Sequence, residues 1–134
     1  MRDESLDRPW AFDWDVIHFN VGLHDLKSLS ARKLGKKNGV QVSSLGVYQK
    51  KVGEIAKYMK APAPDAKLII AMTTPVPDGE PGRVAGDAQK DTQAARQILL
   101  GHPGIPINDL YRSIKLTQTK WWTAPGNVHF NKSG

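Results

Sequence analysis

A chain of 134 residues with 40% hydrophobic residues and a formal net charge of +6 can bury one core, but it is small for a complete doubly wound α/β enzyme. The absence of cysteine excludes disulfides and thiolate chemistry, and no run of about 18 apolar residues is present to cross a membrane. The positive charge gathers at Arg32, Lys33, Lys36 and Lys37, in a loop without aromatic residues, and at Lys50, Lys51, Lys57 and Lys60 on a predicted helix. Both groups read as solvated surface, which makes a nucleic-acid partner the weaker reading.

Residues 1–12 read as a polar lead-in without an apolar signal core. As written the chain therefore reads as cytoplasmic, or as secreted or periplasmic where a leader has been removed. Residues 13–21 are almost continuously apolar and rich in Val, Ile and Phe, the pattern of a strand buried on both faces. In this strand His18 reads as a satisfied core histidine. Gly22 breaks the run and delivers His24 and Asp25. Residues 22–46 form a long connection with turn chemistry at Gly35, Asn38 and Gly39, and with Val40, Gln41 and Val42 as briefly paired extended chain.

Residues 47–60 read as a helix whose stripe combines Val47, Lys51, Ile55 and Met59 with Tyr48, Val52 and Tyr58. Residues 67–73 are a second continuous apolar strand, followed by a Pro-rich loop from Thr74 to Gly82. Residues 87–100 are a second helix with Ala88, Ala95, Ile98 and Leu99 inward, and His102 after it reads as exposed. Residues 105–110 are a short third strand, placed at an edge by Pro106, which lacks a backbone donor. A short helix over 110–116 and a loop over 117–126 carrying Trp121 and Trp122 complete the chain. The order β-α-β-α-β predicts a single domain over 1–134 with a parallel sheet of about three strands and right-handed crossovers.

Polar residues follow each strand, where α/β folds place ligands. Gly22, His24 and Asp25 follow the first, Thr73 and Thr74 the second, and Asn108 and Asp109 the third, with His129 later on a loop. A histidine facing a Gly-x-His-Asp turn reads as a general base opposite an oxyanion site. The backbone N–H of Gly22 and the imidazole N–H of His24 are the candidate donors. A metal set of His18, His24, Asp25 and His129 is the weaker reading. Adjacent His24 and Asp25 are poorly spaced as ligands, and no His-x-x-x-His occurs.

The stretch Asp15-Val-Ile-His-Phe-Asn-Val-Gly-Leu-His-Asp25 and the stretch Asn127-Val-His-Phe-Asn-Lys-Ser-Gly134 resemble two sequence blocks of the SGNH (GDSL-type) hydrolases. The first is similar to a strand ending in Gly-x-Asn-Asp. Gly22 and Asp25 match, and His24 stands where that family has its oxyanion Asn. The second is similar to Asp-x-x-His, with His129 at the base. The resemblance implies a truncated flavodoxin-like α/β/α sandwich, keeping three strands of a sheet ordered 2-1-3-4-5. It implies hydrolysis of short-chain, aryl or acetyl carboxylic esters without a cofactor.

The family's Gly-Asp-Ser block with the nucleophile has no counterpart here. The Asp three residues before the base is replaced by Gly126, beside Asn127. The nucleophile is then a substitute serine (Ser28, Ser30, Ser113 or Ser133) or a water activated by His129. Each of these serines, taken singly, reads better as an ordinary loop or cap residue. Trp121, Trp122 and Thr74 are the candidate substrate-binding residues, with Asp25 and Asn127 in support. The alternative function is a non-catalytic remnant or fragment acting as a binding or assembly module. With the preceding strands missing, the first strand has an unpaired edge, which predicts a homo-oligomer.

Overall fold

The computed structural model describes residues 13–133; the lead-in 1–12 and Gly134 lie outside the described residues. Strand β1 (Val16–Asn20) opens the fold. Three short strands follow, β2 (Ser28–Ser30), β3 (Lys33–Leu34) and β4 (Val40–Gln41). Next come helix α1 (Leu45–Lys60), strand β5 (Lys67–Ala71), helix α2 (Asp87–Leu100) and strand β6 (Ile107–Asn108). Two short helices close the chain, α3 (Leu110–Lys115) and α4 (Gln118–Trp121). It is an α/β fold with a three-stranded parallel sheet, ordered β1-β5-β6 and flanked by helices, as the sequence order predicts. The strand containing the residues after Pro106 lies at the edge.

Local chemistry sets the helix limits. Ser44 is the N-cap of α1, its side chain accepting from the Val47 N–H at 3.4 Å. The helix ends before Pro62 with Lys57 and Lys60 in its last turn, where cations suit the carbonyl end. Lys60 Nζ then reaches forward to the Ala66 carbonyl at 2.7 Å, fixing the turn into β5. α2 has the predicted limits. Asp87 occupies its first turn, and Gly101 follows its last residue.

The main core joins Tyr48 and Val52 of α1, Ala95 and Leu99 of α2, and Ile70 and Met72 in and after β5. Phe19, Val21 and Ile107 pack against it, so α1 and α2 cover one face of the sheet. On the other face of β1, Val16, His18 and Asn20 are exposed. This corrects the expectation of a strand buried on both faces. An apolar run reports hydrophobicity, but burial on each face depends on what packs there. His18 is accordingly a surface residue, its Nε2 at 3.3 Å from Asn108 Nδ2.

Three further expectations change. The buried positions of α1 are Tyr48, Val52 and Ala56, whereas Val47 and Tyr58 are exposed. Two apolar stripes a residue apart on a helix are equally periodic, and only the packing of α2 selects one. The 22–46 connection is an ordered antiparallel unit, β3-β2-β4, with Leu29 opposite both Leu34 and Val40. Part of the 117–126 loop is α4, and His102 is half-buried.

Candidate active site

The turn after β1 is built by its own backbone. The Gly22 carbonyl accepts from Asp25 N–H at 2.9 Å and Leu26 N–H at 3.2 Å. Gly22 adopts φ +128°, and a Cβ there would collide with Thr73 Oγ1 and press on Tyr48. The missing side chain thus makes room for two hydroxyl-bearing residues. Both hydroxyls address the Val21 carbonyl, Thr73 Oγ1 donating at 3.0 Å and Tyr48 Oη at 3.4 Å. The end of β1 is therefore pinned from β5 and from α1.

His24 projects from this turn into solvent. Its Nδ1 lies 3.0 Å from Lys27 Nζ. An ammonium has only protons to offer, so Nδ1 is the acceptor and the ring proton resides on Nε2. Asp25, on the inner side, sits 3.8 Å from Lys51 Nζ.

His129 lies on the returning limb of a small hairpin. Trp121 O accepts from Asn131 N–H at 2.7 Å, and Trp122 bridges Phe130. The His129 backbone is held twice over. Its N–H donates to Asn127 Oδ1 at 2.9 Å, and its carbonyl accepts from the Thr123 N–H at 2.9 Å and hydroxyl at 3.2 Å. The imidazole itself is exposed. The preceding residue, Val128, is buried in a second apolar cluster with Leu26, Val76 and Ala88, against which Leu23 packs. Leu23 and Leu26 bracket His24 and Asp25. The hairpin carrying His129 and the turn carrying His24 thus contribute to one apolar cluster.

Gly126 explains the absent carboxylate. Its φ is +74°, and a Cβ would stand 3.1 Å from the Gly79 carbonyl. A side chain there would be strained and would crowd the Pro-rich loop. Asn127 stands instead beside His129 and spends its Oδ1 on the His129 N–H.

The candidate serines scatter. Ser28 is buried in β2, Ser30 is exposed at its end, Ser113 Oγ donates to the Asp109 carbonyl at 2.9 Å, and Ser133 is exposed. Among the described residues no serine hydroxyl hydrogen-bonds to His129. A cleft of about 460 Å³ opens between the Pro-rich loop (Val76, Pro77, Asp78) and the α4–hairpin segment (Gln118, Trp122, Pro125). Trp122 lines it; Trp121, Thr74, His24 and His129 do not. Among the described residues no group of three His, Asp or Glu side chains is placed to hold a metal ion. Among the described residues no helix is long and apolar enough to cross a membrane.

Two features had no legible signal in the sequence. Glu80 and Arg83 form a buried ion pair, Arg83 Nη1 to Glu80 Oε1 at 2.6 Å, inside the Pro-rich loop. Glu80 Oε2 accepts from the backbone N–H groups of Gly82, at 2.7 Å, and Arg83. Two charges three residues apart in a Pro/Gly loop read as solvated until the loop is seen to fold over them. The second is Asp91 on α2, buried with one carboxylate oxygen lacking a partner. Burial first, then the charges of Asp25 and Asp87, push its pKa up to about 6. Burial, followed by the charge of Asp91, pushes the nearby Tyr48 phenol up to about 12, so it stays protonated.

The chain is similar in fold to a lipase/acylhydrolase. One match is to the crystal structure of the lipase/acylhydrolase from Enterococcus faecalis, with a TM-score of 0.66 and 15% sequence identity, covering 90% of this chain and 54% of that one. The chain thus spans about half the length of that structure. No protein-family model and no curated sequence matches it.

Proposed function

We propose that the chain is a carboxylic ester hydrolase of SGNH type, acting on short-chain, aryl or acetyl esters, with His129 as general base. The observation that supports this reading is the apolar cluster shared by Val128 and Leu26, with Leu23 packed against it, to which both the His129 hairpin and the His24 turn contribute. The fold likeness to a lipase/acylhydrolase supports it. In the proposed reaction a water attacks the ester carbonyl while His129 takes one of its protons. The tetrahedral oxyanion accepts from the Gly22 N–H and from Nε2–H of His24, the nitrogen that Lys27 leaves protonated. Collapse expels the alkoxide, which His129 reprotonates, giving acid and alcohol. The cleft beside Trp122 receives the apolar part of the substrate. Direct water attack requires no serine.

The test is hydrolysis of a small aryl ester by purified protein and by the His129→Ala variant. General-base catalysis contributes about 10²–10⁴ in rate, so a loss of that size is expected. Activity undiminished in the variant rejects the base assignment.

A second reading is a non-catalytic binding or assembly module. The backbone at Gly126 favours it, since its positive φ and the nearby Gly79 carbonyl make a side chain at the position of the orienting carboxylate strained and crowded. Lack of hydrolysis across acyl lengths in pure protein selects this reading.

A further inference from the structure

The antiparallel unit β3-β2-β4 turns an apolar row toward solvent. Leu29 lies opposite both Leu34 and Val40, so the three side chains share one face of the unit. Ser28, the preceding residue on β2, is buried, whereas Leu29 is 36%, Leu34 44% and Val40 79% exposed. Val42, 51% exposed, continues the alternation of β4, its N–H donating to the Lys27 carbonyl at 2.7 Å. The unit is tied to the Pro-rich loop. Ser28 N–H donates to the Gly82 carbonyl at 2.6 Å and Lys36 N–H to the Pro81 carbonyl at 3.1 Å.

Cations accompany this row. The β2–β3 connection is Ala31 and Arg32, at φ +48° and +65° as a two-residue hairpin turn requires, and it presents Arg32 next to Lys33. The connection from β3 to β4 adds Lys36 and Lys37. All four are exposed, and among the described residues none is in an ion pair. Residues 26–53 hold seven Lys and Arg and no Asp or Glu, more positive charge than the net +6 of the whole chain. The partner that answers both features carries negative charge at its surface and an apolar phase beneath it. A nucleic acid offers the charge alone, and residues 26–47 contain no aromatic side chain on which bases could stack.

We propose that this face docks on the surface of an anionic lipid bilayer. Leu29, Val40 and Val42 enter the headgroup boundary, and Arg32, Lys33, Lys36 and Lys37 meet the acidic headgroups. The unit directly follows the His24–Lys27 turn, so docking sets the candidate site beside the lipid.

The test is cosedimentation of the full chain with vesicles of equimolar phosphatidylserine and phosphatidylcholine, and with vesicles of phosphatidylcholine alone. Binding is expected to the first and not to the second, and it is expected to weaken as salt is raised. Lys33→Gln and Lys36→Gln are each expected to weaken it about fivefold, the usual worth of one cation at such a surface. Val40→Ser combined with Val42→Ser is expected to weaken it with the salt dependence unchanged. Because the chain has no cysteine, Val40→Cys can carry an environment-sensitive fluorophore on a single thiol, and its emission is expected to shift to the blue with the anionic vesicles. The same label at Leu100→Cys is not expected to shift, since Leu100 is exposed at the end of α2, on the amino side of the sheet and away from the unit. Circular dichroism checks that each variant is folded. No binding to the anionic vesicles, equal binding to both compositions, or a shift at position 100 as large as at position 40 overturns the proposal. So does binding that the lysine variants lose and the Val40 and Val42 variant keeps in full, together with tighter binding to duplex DNA, an outcome that makes the face a site for polyanions.

Discussion

Arg83 Nε donates to the Leu23 carbonyl at 2.7 Å, so the loop after β5 grips the residue that precedes His24. The same guanidinium neutralises buried Glu80, whose carboxylate in turn caps the backbone of its own loop. One side chain therefore couples the shape of the Pro-rich loop to the position of the His24 turn.

Removing that coupling is expected to be costly. Arg83→Met leaves Glu80 buried and unpaired, and breaking a buried pair from one side costs about 3–5 kcal/mol. Urea denaturation measures the loss. The double change Arg83→Met with Glu80→Gln is expected to recover part of it, because no uncompensated charge is then left inside.

Asp91 makes stability depend on pH. Its folded pKa, about 6, lies above the ordinary 3.8, so the folded protein holds this proton more tightly than the unfolded chain. Its contribution is therefore most favourable near pH 4 and declines as pH rises through 6. Two pKa units correspond to at most about 3 kcal/mol. Asp91→Asn removes the penalty, and the variant is expected to melt above the wild type at pH 8, with the gap closing toward pH 4. Thermal unfolding at the two pH values checks it; a pH-independent gap contradicts the assignment.

Gly22→Ala is expected to destabilise the fold by at least about 2 kcal/mol, from a positive φ and from overpacking against Thr73 and Tyr48. Chemical denaturation is the measurement. Gly79, which also has positive φ but open space around it, serves as the comparison, and Gly79→Ala is expected to cost less.

The tautomer of His24 gives a test of the proposed oxyanion donor. His24→Ala is expected to lower kcat for an activated ester by about 10²–10³, the usual loss for one such donor. Lys27→Met releases Nδ1 and lets the ring proton move between nitrogens, so a smaller fall in kcat is expected, with KM little changed. Steady-state kinetics separates the two; equal effects argue against a tautomer role for Lys27.

Much of the fold was legible in the residues. Gly and Pro at 82, 101 and 106 punctuate the chain, and the apolar runs at β1 and β5 and the limits of α2 follow from local pattern. Of the antiparallel unit over 28–41 only the extended stretch at Val40 and Gln41 was legible, because its strands are two or three residues long and polar at most positions. At the candidate site, Gly22 and the His24–Asp25 turn were visible as a break in an apolar run. The Glu80–Arg83 pair and the burial of Asp91 were not, since a charged residue on a loop or helix looks the same whether or not another element covers it.

The sequence by itself determined the order of the elements and the polar residues that end each strand, because both depend on interactions a few residues apart. Only the tertiary structure decided which face of β1 is covered, which stripe of α1 is buried, and that Val128 joins one apolar cluster with Leu23 and Leu26. These relationships join segments far apart in the chain. Their outcome is set by shape and burial between elements, which local periodicity does not contain.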